Sequence, residues 1–350
     1  LFDPDWATHR AVILGCSGTV LTEEEISFFE EARPLGFILF KRNCVAPEQL
    51  KELTKSLRSI SGQAYAPILI DQEGGRVARL GEPHWRHPPA GRVFGELAER
   101  DLESGCEAAY LNARLMGREL QEMGVDIDCA PVLDISQPFA HEIIGDRSYS
   151  DDPAIVGEIG NAVSRGLAEE GVTPIIKHIP GHGRARTDSH LELPVIDAEA
   201  NSLRDLDFQP FAENSHAPWA MTAHILYTAL DQQRPATQSE CVIRDVIRGE
   251  IGFGGVLISD DIGMKALEGK FAERADKSLE AGCDLVLHCS GEMDEMASFA
   301  LNIPEIAADS LERLRRGDGW VDEMKSDSVR MSREEISKAL GDLLQMQASS

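Results

Sequence analysis

The segment Lys177-His178-Ile179-Pro180-Gly181-His182-Gly183 is followed five residues later by Asp188-Ser189-His190, so three imidazoles, an ammonium group and a carboxylate crowd a short stretch of chain. Two chemistries fit these residue types. Imidazole and carboxylate are common zinc and iron donors, so His178, His182, Asp188 and His190 form a candidate metal-ligand set for a metal-dependent hydrolase. The spacing argues against it, because Pro180-Gly181 keeps His178 and His182 from sharing a helical face as the two histidines of H-E-x-x-H do. Acid/base catalysis is the other reading. Asp188 and His190, two apart on a Gly-rich loop, can form a dyad in which the carboxylate orients the ring and supports its charged form. A D-x-H in a loop is also commonly just two solvated polar residues. Gly181-His182-Gly183 lacks the Lys-Ser/Thr of a phosphate-binding loop.

Other reactive groups stand where apolar runs end. One run leads into Asp71-Gln72-Glu73-Gly74-Gly75-Arg76, with Arg79 just beyond; another leads to Asp134 and then Gly145-Asp146-Arg147-Ser148; later runs end near His224 and at Ser259-Asp260-Asp261. Taken singly each has a bland explanation. An Asp closing a strand is often a helix N-cap, which suits Asp134 or Asp261, and Gly-Gly often does no more than turn the chain. Ionisable groups at five or more run ends carry more weight together. Arg79, Arg147 and Lys177 are cations in an acidic chain, and local positive charge there predicts the approach of an anionic or polyhydroxy ligand.

The elements that must position these groups are legible as eight short apolar runs: 11–18, 36–40, 67–71, 125–134, 173–178, 219–226, 254–260 and 283–290. Helix-like stretches lie between them, at 47–60, 97–123, 153–170, 239–250 and 270–281. Thr22 with Glu25 reads as a capping box, Ser239 as a cap, and Gly124, Gly171, Gly252 and Gly282 as helix ends. Continuous apolar runs separated by helices indicate strands buried on both faces, the pattern of a parallel sheet. Eight such units predict an α/β fold, a (β/α)8 TIM barrel, whose active site lies at the C-terminal ends of the strands. A doubly wound open sheet is the alternative, but Gly15-Cys16-Ser17-Gly18 after the first run is not the G-x-G-x-x-G of a dinucleotide site.

The chain has 350 residues, and 34 Lys+Arg against 60 Asp+Glu leave a formal charge of −26. That field opposes nucleic acid and anionic lipid as partners. No run approaches the roughly 18 apolar residues of a membrane span. Length alone allows two domains, but the βα pattern predicts a single catalytic barrel over 1–316. The polar tail, 317–350, is expected to carry one amphipathic helix, with Ile336, Leu340, Leu343 and Leu344 at helical spacing and no basic face for a membrane. Seven cysteines, odd in number and without C-x-x-C spacing, predict reduced thiols and a cytoplasmic location. The expected assembly is a monomer or weak homodimer.

The K-H-I-P-G-H-G segment with its following D-S-H resembles the family 3 glycoside hydrolases of the β-N-acetylglucosaminidase type, and DQEGGRV (71–77), GDRSY (145–149) and ISDDIGM (258–264) agree in order. The resemblance spans roughly 12–287. Ile179 replaces a common Phe and Ile262-Gly263 a common Leu-Ser, neither of which removes a functional group. The resemblance implies a retaining hydrolase of terminal β-linked N-acetylglucosamine, with no metal or cofactor. It assigns Asp260 as nucleophile, His190 as general acid/base and Asp188 as its orienting partner, while Asp71, Arg79, Arg147, Lys177 and His178 bind the sugar. The implied substrate is a small carbohydrate, N-acetylglucosamine linked to anhydro-N-acetylmuramic acid bearing a peptide, in peptidoglycan recycling. Adjacent strand residues point to opposite sides, so only one of Asp260 and Asp261 is expected to face the pocket. A phosphorylase remains the nearest variant, since an imidazole acid/base repels phosphate less than a carboxylate does. A catalytically silent sugar-binding barrel is the third possibility.

Overall fold

In the computed structural model, residues 4–61, 66–137, 142–327 and 330–348 are described. Eight parallel strands close into a barrel in sequential order: β1 (Arg10–Gly15), β2 (Pro34–Leu39), β3 (Ile68–Ile70), β4 (Ile127–Asp128), β5 (Thr173–Ile179), β6 (Trp219–Thr222), β7 (Val256–Asp261) and β8 (Leu285–His288). β8 pairs with β1 through Val12 opposite Val286, which leaves no sheet edge. The strands are built from β-branched and other apolar residues that are almost all buried, as a barrel flanked by helices on its outside requires.

Each of the eight predicted runs overlaps a barrel strand, although 125–134 contributes only two ladder residues. Pro131 has no N–H to give, so regular pairing stops before it. The chain nevertheless stays beside β5, through Ile175 N–H to the Ala130 carbonyl (3.0 Å) and Leu133 N–H to the Lys177 carbonyl (2.7 Å), and so delivers Asp134 to the mouth.

The helices follow their punctuation. Thr22 and Glu25 form the expected capping box at the start of α1 (Glu23–Ala32), and α2 spans Pro47–Ser61. Ser239 accepts from the Val242 amide at 3.3 Å, capping a π-helical segment over Val242–Glu250. The single helix expected over 97–123 is two, α3 (Gly91–Ala98) and α4 (Leu102–Glu122). Asp101 between them is extended, and Gly105 lies so close to Ala98 that a Cβ there would meet its Cα at 2.5 Å. The two helices therefore fold back on one another at this glycine. α5 runs Pro153–Glu169 and α6 Phe271–Ala281, the latter ending at Gly282 with φ 115°.

The tail differs from expectation in one respect. Residues 316 and 317 lie inside α7 (Ala308–Asp327), and a second helix, α8 (Arg333–Ala348), follows. Glycine costs about 1 kcal/mol in a helix interior, but α7 is fastened before its glycines by Ser310 and Arg313, both bonded to buried Asp284 at 2.6 and 2.8 Å. Gly317 then packs near Pro218. In α8, Ile336 and Leu340 are buried and Arg333 pairs with Glu122 of α4 at 2.8 Å, so the amphipathic helix covers its own barrel. All seven cysteines are free thiols. Among the described residues no helix is long and apolar enough to cross a membrane.

Candidate active site

A cavity of about 190 Å³ opens at the C-terminal ends of the strands. Asp71, Arg79, Arg147, Lys177, His178, His190 and Asp260 all line it. Asp188 reaches it through His190.

Lys177 and His178 are consecutive on β5, yet both line the cavity. The pairing of β5 with β6 steps two residues, Lys177 to Ile179, against one, Met221 to Thr222, which is a bulge. A bulge breaks the alternation of side chains and re-aims them. The same device operates on β7, where Ile258 to Asp261 faces Leu285 to Leu287. Asp260 and Asp261 consequently both line the cavity, contrary to the expectation that only one would.

Their environments differ. Asp260 Oδ1 accepts the Asp261 N–H at 2.7 Å. Burial opposes its charge, but His178, His224, this amide and Lys177 outweigh burial and hold the carboxyl below its ordinary range. Asp261 Oδ1 instead accepts the amides of Gly263 (2.8 Å) and Cys289 (3.2 Å), tying the β7 loop to the end of β8. Burial, assisted by the charge of Asp260, raises Asp261 to about 6. Two adjacent carboxyls are thus pushed apart, and the more acidic of the two is Asp260.

Asp188 and His190 form the predicted dyad. Asp188 Oδ1 accepts both the His190 backbone N–H and its ring Nδ1–H, each at 2.8 Å. This is a local turn closed by an aspartate two residues upstream. It occupies Nδ1 and leaves Nε2 outside the turn, on a ring side chain 63% exposed at the rim. Ala266 N–H donates to the Ser189 carbonyl at 3.2 Å, joining this loop to the one that follows Asp260.

The cations do not form a positive mouth. Lys177 Nζ lies 2.8 Å from Asp71 and 2.6 Å from Glu73, Arg147 grips both oxygens of Glu73 at 2.8 Å, and Arg79 pairs with Asp71 at 2.9 Å. Burial disfavours these charges singly, but their mutual attraction holds Asp71 below the ordinary carboxylate range, lowers Glu73 to about 2, and raises Lys177 and Arg147 above their ordinary values. Arg76, which pairs with Asp146, also lines the cavity. Four cations there meet Asp71, Glu73, Asp260 and Asp261. The arrangement is a preorganised lattice of donors and acceptors, suited to hydroxyls, and the expected offset of the global field is absent because the carboxylates cancel it.

Sequence reasoning passed over Glu73 and treated Asp134 as a cap. Asp134, fully buried, accepts His178 Nδ1–H at 2.7 Å and the backbone amides of His178 (3.3 Å) and His182 (2.6 Å). It fixes the His178 ring with Nε2 as the remaining nitrogen. The clue was available in Asp134 lying at the end of an apolar run opposite a histidine-rich one. His182 is buried, shares Nε2 with Ser189 Oγ at 3.3 Å, and is lowered to about 4 by burial and by neighbouring His178. Gly183 sits on Ile135, where a Cβ would lie 1.9 Å from the carbonyl oxygen, so the second glycine of G-H-G serves packing. His178, His182, Asp188 and His190 do not converge as the metal reading requires; among the described residues no three His, Cys, Asp or Glu side chains are disposed to hold one ion.

Residues 22–313 match the family described as Glycosyl hydrolase family 3 N terminal domain. A β-hexosaminidase of Alkalilimnicola ehrlichii is 38% identical over 283 residues, 80% of this chain and 80% of that protein. One from Aromatoleum aromaticum is 35% identical over 306 residues, covering 86% and 82%. Among solved structures, native NagZ from Neisseria gonorrhoeae superposes with a TM-score of 0.83 at 32% identity, covering 97% of this chain and 98% of that one. A family 3 β-N-acetylglucosaminidase from Paenibacillus sp. str. FPU-7 gives 0.82 at 28% identity, covering 98% and 68%. Joined to the closed barrel and the cavity at its mouth, these matches show that the chain is a glycoside hydrolase belonging to family 3.

Proposed function

We propose that this hydrolase removes terminal β-linked N-acetylglucosamine with retention of configuration, using Asp260 as nucleophile and His190 as general acid/base. The observation that carries the reading is that an acidic carboxylate on a strand end and an Asp-bound imidazole on a loop line one cavity. Retaining glycosidases need a nucleophile on one side of the sugar and a proton donor on the other.

In the first step Asp260 Oδ2 attacks the anomeric carbon while His190 Nε2–H gives its proton to the leaving oxygen. The glycosidic bond breaks and a glycosyl ester forms on Asp260. His190, now neutral with Nδ1–H still on Asp188, takes a proton from water through Nε2. That water attacks the anomeric carbon, the ester breaks, and the β-sugar leaves. Asp188 keeps the same tautomer through both steps, which is what a donor that becomes an acceptor requires. Asp71, Arg79, Arg147, Lys177 and His178 hold the hydroxyls and acetamido group. The exposed His190 ring closes over the sugar once it is bound.

The substrate in this reading is a muropeptide carrying N-acetylglucosamine on anhydro-N-acetylmuramic acid, met in the cytoplasm during peptidoglycan recycling. Free thiols and relatives named β-hexosaminidase support it. Mass spectrometry after trapping with a fluorinated slow substrate tests the nucleophile: a sugar adduct is expected on the peptide holding Asp260, and an adduct elsewhere overturns the assignment. His190→Ala should lose less activity on substrates with good leaving groups than on poor ones, the remaining loss being that of the base for the second step. The phosphorylase alternative predicts sugar 1-phosphate in phosphate buffer, where the hydrolase yields free sugar.

A further inference from the structure

We propose that His224 is a positioning residue for the nucleophile, setting the strand end on which Asp260 stands. The inference deepens the reading of Asp260 as nucleophile and rests on it. His224 follows β6 and is fully buried. Its Nε2 lies 3.0 Å from the backbone carbonyl of Asp261, and its Nδ1 lies 2.7 Å from Thr237 Oγ1, which in turn lies 2.8 Å from Thr222 Oγ1.

The chemistry of the partner fixes the direction of the first bond. A carbonyl oxygen only accepts, so Nε2 carries the hydrogen. Burial pushes the ring below the ordinary histidine range, against the opposing pull of Asp260. Thr237 Oγ1, which meets Nδ1, donates to the Ala223 carbonyl at 3.1 Å, and Thr222 Oγ1 completes the chain. The relay ends on the Asp261 carbonyl, while the N–H of the same residue donates to Asp260 Oδ1 at 2.7 Å. The residue after the nucleophile is thus gripped at both backbone groups, by His224 on one side and by Asp260 itself on the other. β7 is bulged just here, so ladder bonds alone do not fix its end. A substrate-facing carboxylate must be held to a fraction of an ångström, and a misplacement of about 1 Å can cost 10²-fold. His224 adds a second bond, from the segment after β6, to a carbonyl that also accepts the nearby Met264 N–H at 3.0 Å.

The test uses the full chain with three substitutions, His224→Phe, His224→Gln and Thr237→Val, and counts active sites by the fraction trapped with the fluorinated slow substrate. His224→Phe removes the donor and is expected to lower kcat per trapped site by about 10²-fold, equally for aryl glycosides with good and poor leaving groups, because both half-reactions involve the bond to Asp260. KM should change far less. His224→Gln, whose amide can reach the same carbonyl, should recover most of the loss. Thr237→Val, which leaves Nδ1 unsupported, should fall between them and keeps the test open where His224→Phe does not fold. A lowered melting temperature and trapped fraction with unchanged kcat per trapped site would mean a merely structural role and overturn the proposal. A leaving-group dependence like that of His190→Ala would overturn it as well. An adduct away from Asp260 in the unsubstituted enzyme is a separate failure, that of the nucleophile assignment.

Discussion

At the N-terminal end of the barrel, buried Asp284 accepts from Arg248 (2.8 Å), Arg313 (2.8 Å), Ser310 Oγ (2.6 Å) and the Leu257 amide (2.8 Å); at the C-terminal end, Asp71 and Glu73 share Lys177, Arg79 and Arg147. Both clusters bury carboxylates among cations. At the base the cations come from helices, Arg248 from the π-helical segment and Arg313 from α7, so each pair fastens a helix to the start of a strand. Asp126 does the same with Arg58 of α2. At the mouth Lys177 comes from β5, Arg79 from the loop after β3 and Arg147 from the loop after β4, and the pairs link one strand end to the next around the cavity. The first arrangement spends its hydrogen bonds on the fold. The second holds its donors rigid beside the cavity, where a ligand can use them.

The sharpest break in the comparison comes from Asp260→Asn. Turnover of an aryl β-N-acetylglucosaminide should drop on the order of 10⁴-fold, about 5 kcal/mol of transition-state stabilisation, while the urea unfolding midpoint stays put. Near-normal cleavage would remove Asp260 from its role.

Asp284→Ala should do the reverse. Leaving Arg248 and Arg313 without their buried partner costs about 3–5 kcal/mol of stability, read by urea unfolding, whereas kcat per folded molecule changes little. A loss of kcat without a loss of stability would show that the base is not purely structural.

Glu73→Gln falls between the two. The folded carboxyl titrates at about 2 against an ordinary 4.5. A depressed carboxyl contributes stability that is complete above the unfolded value and is lost as pH falls through the folded one. The contribution, about 3 kcal/mol as an upper value, should therefore separate the enzyme from its Gln variant at pH 7 and shrink between pH 4.5 and 2. KM should rise in the same variant, because Arg147 and Lys177 lose their anchor. An unchanged KM would place Glu73 with the base residues.

Arg333→Ala, which removes the exposed pair between α8 and α4, should cost no more than about 0.5 kcal/mol. A larger loss on urea unfolding would mean that the tail is fastened electrostatically and not through Ile336 and Leu340.

Much of this was legible along the chain. The capping box at Thr22 and Glu25 and the Asp188–His190 turn are contacts between residues two or three apart, so spacing alone encodes them. The eight strands announced themselves because strands buried on both faces must be apolar throughout. What resisted reading was non-local. Asp134 looked like a cap because its partner, His178, lies on the next strand, and Glu73 drew no role because Arg147 and Lys177 are brought to it only by barrel closure. The helix over 97–123 appeared continuous because the close approach of Gly105 to Ala98 is a packing event with little local signature.

By itself, then, the sequence determined the barrel, the side of it that carries the chemistry and the Asp188–His190 dyad, all consequences of apolar pattern and short-range hydrogen bonding. Only the tertiary structure decided which charges remain available there. Bulges on β5 and β7 turn Lys177, His178, Asp260 and Asp261 toward one cavity against the alternation of an ideal strand, and closure of the barrel pairs the cations that the sequence left free. Side-chain direction on a strand depends on the register of its neighbours, and charge depends on distance in space, and neither is carried by spacing along the chain.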